Sequence, residues 1–319
     1  MAATRSLNVL IVHGIGTRPR LRTYARPLEI GIRRAFDRVI NRLPLPDVAP
    51  EAARSGQALR FETVCWDPVT QTPQDALLLV LFGKPWLLQQ LSLTGRLRRQ
   101  IVGLVGDVIA YEAEPNNPVY RAIHAEVARG LDALGAASAG DGGADGGAPL
   151  TIIGHSLGSV IASDYVWDQT HGQTHCLDAH GLALVNMVLL GSPMALYALR
   201  RNAGGGPESI RESLSAPALI DPDGGWWLNL FDRQDALACP LEPVDAYRRA
   251  GVIDCPVRAG SWLTGWNLGS HTGYWACRGV ATILGSKLAI DWARANSPRF
   301  AERYGARALD ALRAQLKRR

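Results

Sequence analysis

Residues 150–160 read LTIIGHSLGSV, and within them Gly154-His155-Ser156-Leu157-Gly158 places a serine between two glycines in the spacing G-x-S-x-G. An apolar run, Leu150 to Ile153, precedes the motif, and a helix-compatible segment, Leu157 to Trp167, follows it. The order is strand, tight turn, helix, the context that gives this pattern its meaning. On such a turn the serine Oγ stands clear above the end of a sheet. Small residues two before and two after it let strand and helix approach without Cβ clashes. The helix that follows aims its first N–H groups and its positive dipole end at any oxyanion formed there. The chemistry this permits is attack by Ser156 on an acyl carbonyl.

A serine hydroxyl needs a base to act this way, and the base needs a carboxylate to hold its tautomer. With a G-x-S-x-G serine, the acid and then the histidine follow it in the chain. His13 and His124 precede Ser156, and His155 lies inside the motif. His171, His175 and His180 come before the next core strand, too early to leave a strand-borne acid between. His271 remains, in Gly269-Ser270-His271-Thr272-Gly273-Tyr274, expected to be a loop between the last strand and a helix. For the acid, Asp232 and Asp235 both follow the apolar stretch Trp227 to Phe231. Asp235 is preferred because a few residues usually separate a strand end from the acid. Asp232 is the alternative, with capping of the turn as its other job.

The oxyanion also needs a second donor. Val12-His13-Gly14-Ile15-Gly16 follows the first apolar strand and carries the His-Gly signature of a loop that supplies one. The donors are assigned to the backbone N–H groups of Ile15 and Leu157. His13 and Gly14 are expected to touch substrate, and Trp262 and Trp266 to line an acyl pocket ahead of His271. The glycine turn at 14–16 lacks the Lys-Ser/Thr of a P-loop and the full G-x-G-x-x-G of a dinucleotide site.

The elements that must position these residues alternate in type. Strands are expected at Leu7 to Val12, Leu59 to Trp66, Leu150 to Gly154, Ala183 to Leu190, Trp226 to Phe231 and Cys255 to Arg258. Helices are expected at 22–42, 118–134, Leu157 to Trp167, Tyr274 to Ala295 and 302–317, the last basic and amphipathic. That alternation implies an α/β domain with a mostly parallel central sheet and helices on both faces. Two unusually apolar helices at 74–111 form a helical insertion. It serves either as core packing or as a lid over the site, with 74–99 as a peripheral membrane contact. Residues 135–149, GAASAGDGGADGGAP, are expected to form a flexible surface loop, and 204–207 another.

Composition narrows the class further. With 47% hydrophobic residues in 319, the chain can bury one large core, so a single domain over 1–319 is expected. The formal net charge of +5 is not a nucleic-acid signal. Only three of the 34 basic residues are lysine (Lys84, Lys287, Lys317), and no aromatic-interleaved basic patch accompanies them. Five scattered cysteines without a CxxC pair argue against a disulfide framework and for a reducing compartment. The first strand begins so early that a signal peptide would have to sacrifice it, so a cytoplasmic location is expected. His171, His175, Cys176, Asp178 and His180 match no zinc spacing, and no metal is expected.

The segments IVHGIGTR (11–18), IIGHSLGS (152–159), LNLFDRQDALACPLEP (228–243) and SHTGYW (270–275) resemble the α/β-hydrolase superfamily, in particular its bacterial lipase/esterase-like members. The resemblance implies the α/β-hydrolase fold and hydrolysis of an ester or lipid substrate through an acyl-enzyme, without a cofactor. Acyltransferase or thioesterase chemistry, a membrane-acting phospholipase, and a catalytically silent binding module are the alternatives on the same framework.

Overall fold

A computed structural model describes residues 4–14, 23–66, 68–70, 80, 107, 110–111, 116–139, 147–170, 177–197, 226–260 and 268–304. Its centre is a six-stranded sheet of β1 (Leu7–Val12), β2 (Leu59–Val64), β3 (Ala148–His155), β4 (Leu182–Leu190), β5 (Trp227–Phe231) and β6 (Val252–Pro256). The order across the sheet is β2-β1-β3-β4-β5-β6, and every pairing is parallel.

All six residues of β1 and all nine of β4 are buried. Strands covered on both faces read as near-continuous apolar runs, broken here only by Asn8 and Asn186, which is why these two stand out in the sequence. Within β1, Leu10 and Val12 enter one hydrophobic core while Leu7, Val9 and Ile11 enter the other. In β4 the alternation changes phase: Leu182 and Leu184 share a core with Met187 and Leu189. The pairing with β3 steps from Leu150–Leu184 to Thr151–Asn186, so Val185 is an extra residue in β4. That bulge keeps both halves of the strand facing their proper cores.

Among the described residues, four long helices cover the sheet. On one face lie α1 (Arg26–Ile40) and α4 (Arg278–Asn296); on the other lie α2 (Pro118–Ser138) and α3 (Leu157–Thr170). In α1, Leu28, Ile32, Ala35, Phe36 and Ile40 form a buried stripe at helical spacing, and Pro27 sits in the first turn. Asn117 caps α2, its Oδ1 accepting from the N–H of Val119 at 2.8 Å.

A buried polar knot ties α4 to the sheet. Lys287 Nζ donates to both carboxylate oxygens of Asp291 at 2.9 Å. Asn186 on β4 donates to Asp291 at 2.7 Å and to Thr151 Oγ1 on β3 at 3.0 Å. Removing one partner of a buried pair leaves a charge without compensation. Lys287→Met is therefore expected to cost about 3–5 kcal/mol in urea unfolding, and Lys287→Met with Asp291→Leu to recover most of it.

The α/β class with a parallel sheet between two helical layers agrees with the expectation from sequence; several boundaries do not. The last strand is Val252–Pro256 rather than 255–258. The polar Asp254 interrupts its apolar run, because its carboxylate takes N–H groups of Leu241 and Glu242 and the amide of Asn229. The segment 135–149 is not loop throughout: α2 runs on to Ser138, and β3 begins at Ala148. His271 lies in a short helix, Leu268–Thr272, not in a loop. A 3-10 turn (Gly273–Ala276) follows before α4 starts at Arg278, four residues later than expected. A helix runs from Pro298 to Tyr304; the rest of the helix expected at 302–317 lies outside the described residues, as do the expected loop at 204–207 and nearly all of the expected insertion at 74–111. Among the described residues, no helix is long and apolar enough to cross a membrane.

Candidate active site

In an open parallel sheet, the crevice forms at the carboxyl ends of the strands where the order reverses. Here the reversal lies between β1 and β3, since β2 is on one side of β1 and β3 on the other. His13 and Gly14 leave the end of β1, and Ser156 follows the end of β3. Asp235 follows β5, and His271 follows β6. The same edge of the sheet therefore collects four segments that are far apart in the chain.

Among the described residues, Ser156 is the one non-glycine residue with positive φ, at 52°. Such a conformation costs about 1–3 kcal/mol and persists only when its surroundings impose it. They do so here from several sides. The Ser156 N–H donates to Leu190 O at 3.0 Å, and its carbonyl accepts from Ser159 Oγ at 2.5 Å and Ser159 N–H at 2.9 Å. Ser192 Oγ, after β4, lies 2.6 Å from Ser159 Oγ and extends this support. The motif glycines admit the close contact. A Cβ on Gly154 would lie 2.5 Å from Ser159 Cα, and one on Gly158 would lie 2.2 Å from His13 O.

The strained turn points Ser156 Oγ at His271 Nε2, 2.7 Å away. His271 Nδ1 in turn lies 2.8 Å from Asp235 Oδ2 and 3.1 Å from Oδ1. All three residues are buried. Two more donors fix the Asp235 carboxylate: the Leu237 N–H at 3.0 Å and the Tyr274 hydroxyl at 3.0 Å. Burial would push this carboxyl up. The hydrogen bond and charge interaction with His271, with the Leu237 and Tyr274 donors, together outweigh burial and hold it below the usual carboxylate range. Asp235 thus stays an acceptor for the imidazole N–H. The Tyr274 hydroxyl also accepts from the Asp232 N–H at 2.8 Å, and burial first, then the Asp235 carboxylate, keep it protonated.

Asp232 has a different job. Its Oδ2 accepts from the N–H groups of Ala259 at 2.7 Å and Gly260 at 3.0 Å, and its Oδ1 from Gln234 at 3.0 Å. It caps its own turn and pins the segment that leads from β6 toward His271. The two aspartates are therefore separable by experiment. Asp235→Asn is expected to lower the rate of any reaction that uses Ser156 as nucleophile by roughly 10³–10⁴, through the wrong imidazole tautomer, with the melting temperature nearly kept. Asp232→Asn is expected to lower the melting temperature and to cost much less in kcat.

Two histidines flank the serine. His13 is buried, stacks on Trp66 with ring centroids 5.1 Å apart, and its carbonyl accepts from the Trp66 Nε1–H at 2.8 Å. Its Nδ1 meets the Gly14 carbonyl. His155 packs among the rings of His271, Tyr274 and Trp275, and its Nε2 lies 2.7 Å from the His271 carbonyl oxygen. Burial, and then the neighbouring His271, push the His155 imidazole down to about 3, so the ring is neutral at neutral pH.

Of the remaining residues singled out in the sequence, Leu157 opens α3, where the first N–H groups have no partner within the helix. Gly14 lies against the serine: a Cβ there would fall 2.4 Å from Ser156 Cβ and 3.1 Å from its Oγ. Ile15, Trp262 and Trp266 lie outside the described residues. Sequence reasoning passed over Tyr274, His155, Ser159 and Ser192. Tyr274 carried no signal there, since residues 269–274 read as a loop. Among the described residues, no group of His, Cys, Asp and Glu side chains is arranged to hold a metal ion. His180, from the ligand-rich stretch at 171–180, places its Nδ1 2.6 Å from Asp132 Oδ1.

A serine hydroxyl bonded to an imidazole, itself oriented by a buried carboxylate, can lose its proton as it attacks an electrophile. Comparison of the chain with protein-family models, curated proteins and solved structures returns no match.

Proposed function

We propose that this chain is a serine hydrolase of the α/β-hydrolase type that cleaves carboxylic esters through an acyl-enzyme. The observation that carries the reading is the continuous contact from Ser156 Oγ to His271 Nε2 and from His271 Nδ1 to Asp235, built on a strained turn at the ends of parallel strands. The chain order Ser, Asp, His and the position of the serine between strand and helix support the same reading.

In the first half-reaction, His271 takes the Ser156 proton while Oγ bonds to the ester carbonyl carbon. The oxyanion is stabilised by the N–H of Leu157 at the start of α3, with the N–H of Ile15 as the second donor. Collapse expels the alcohol, which takes the proton from His271. Water then attacks the acyl-enzyme, giving its proton to His271, and the acid leaves as Ser156 Oγ recovers a proton. Asp235 remains ionised throughout and stabilises the imidazolium. Acyl transfer to another alcohol, or cleavage of a thioester, would share the first half-reaction.

The test is labelling with a fluorophosphonate probe. Wild type is expected to label, and Ser156→Ala and His271→Ala are expected not to. A series of p-nitrophenyl esters of rising chain length then defines the acyl group. Folded wild type that stays unlabelled, with and without detergent or lipid vesicles, would replace this reading with a silent binding module on the same fold.

A further inference from the structure

The helix that carries His271 has only five residues, Leu268–Thr272. The carbonyls of its last turn have no partner inside the helix and must find one elsewhere. The His271 carbonyl finds His155, whose Nε2 lies 2.7 Å away. A carbonyl oxygen only accepts, so His155 must carry its proton on Nε2 and act as donor. The ring has no room to swing: it is buried and touches the rings of His271, Tyr274 and Trp275, with centroids 5.0, 5.7 and 4.9 Å away.

The location of the donor matters more than its strength. His155 is the last residue of β3 and is bonded directly to Ser156. The sheet holds it through pairing with Leu190. His271 is thus gripped twice by two consecutive residues of one turn. Ser156 Oγ meets its ring, and the His155 imidazole meets its backbone. A drift of the short helix away from the sheet lengthens both contacts, so the His155 hydrogen bond opposes the loss of the first.

We propose that His155 is a positioning residue, which holds the backbone of His271 so that its Nε2 stays within hydrogen-bond reach of Ser156 Oγ. This rests on the serine-hydrolase reading for its effect on rate. The G-x-S-x-G pattern leaves the position before its serine open; in this chain that position, His155, couples the serine turn to the histidine helix.

Three substitutions separate the hydrogen bond from packing. His155→Phe keeps a ring and removes the donor. His155→Gln places an amide N–H near the position of Nε2, and His155→Asn stops one bond short. With p-nitrophenyl acetate, the Phe and Asn variants are expected to lose roughly ten- to hundredfold in kcat, since displacements of an ångström have effects of that size. KM should stay within about twofold, and Gln should recover to within about threefold of wild type. The second readout needs no turnover: the low-field proton resonance of His271 Nδ1–H, bonded to Asp235. It should shift or broaden in the Phe and Asn variants and be kept in Gln. Folding is checked by thermal melting, and Asn against Gln stands alone if Phe does not fold. Unchanged kcat and resonance in a folded Phe or Asn variant would overturn the proposal, and so would equal losses in all three. Wild type that neither labels nor turns over ester would overturn the hydrolase reading instead, and the resonance would then decide the role of His155 by itself.

Discussion

Ser156→Ala is expected to lower kcat/KM for p-nitrophenyl acetate by roughly five to six orders of magnitude, and His271→Ala by nearly as much. Combining them should add almost nothing. The reason lies in the contact between them. His271 Nε2, 2.7 Å from Ser156 Oγ, has no use as a base once that oxygen is gone, and Oγ without the imidazole keeps its proton. Residues that act as one unit give non-additive losses, whereas independent contributors would multiply. The residual rates in all three variants should be close to one another, and they measure what the donors at the start of α3 achieve without a nucleophile. Steady-state kinetics on the two single variants and the double variant is the check. Losses that multiply would mean that Ser156 and His271 do not share a proton, and the proposed mechanism would have to be abandoned.

What the sequence discloses about this site follows from what forces each residue. The serine turn is legible because its glycines are imposed by backbone contact: Gly154 against Ser159, and Gly158 against the end of β1. β1 and β4 are legible because burial on both faces leaves no polar residue to blur the run, apart from Asn8 and Asn186, which are paired inside the core. His271 could be selected by elimination among seven histidines, but its secondary structure could not. LGSHT has weak helix propensity and folds as a helix because the chain around it is tied down, by Asp232 at residues 259–260 and by His155 at its end. The start of β6 is hidden in the sequence because Asp254, a strand residue, spends its carboxylate on the neighbouring turn at 241–242. Distance from the strand end favours Asp235 over Asp232 in the sequence, and the three-dimensional partners separate the one that meets His271 from the one that meets backbone N–H groups. His155 was illegible for another reason: its acceptor is a backbone carbonyl 116 residues away, and no side-chain pattern encodes it.

The second large effect is steric and falls on the junction between β1 and the serine turn. Gly158→Ala would put a Cβ 2.2 Å from His13 O and 2.3 Å from Val12 O. Both are backbone atoms at the end of β1, which is paired to β3 through Val12 and Gly154. Neither can rotate aside as a side-chain tip would, so relief requires α3 to back away or β1 to unzip at its end. Overpacking of this kind costs roughly 3 kcal/mol, and a melting temperature lower by about 5–10 °C is expected. Activity should fall at least as far as roughly a hundredfold, because the Leu157 N–H and Ser156 move with the start of α3. Gly14→Ala strikes the same junction from the other side. Its Cβ would lie 2.4 Å from Ser156 Cβ and 3.1 Å from Oγ, so it should displace the hydroxyl itself and cost more in kcat than in stability. The control is Gly56→Ala, where an added Cβ meets nothing within 4 Å in the short helix Ser55–Ala58. There the lost chain freedom in the unfolded state should leave stability unchanged or raised by up to about 1 kcal/mol. Melting curves and kcat for the three alanine variants, measured side by side, test the close approach of β1 to Ser156. If Gly158→Ala melts and reacts like Gly56→Ala, then Gly158 is not in contact with the end of β1, and the geometry of the turn described above is wrong.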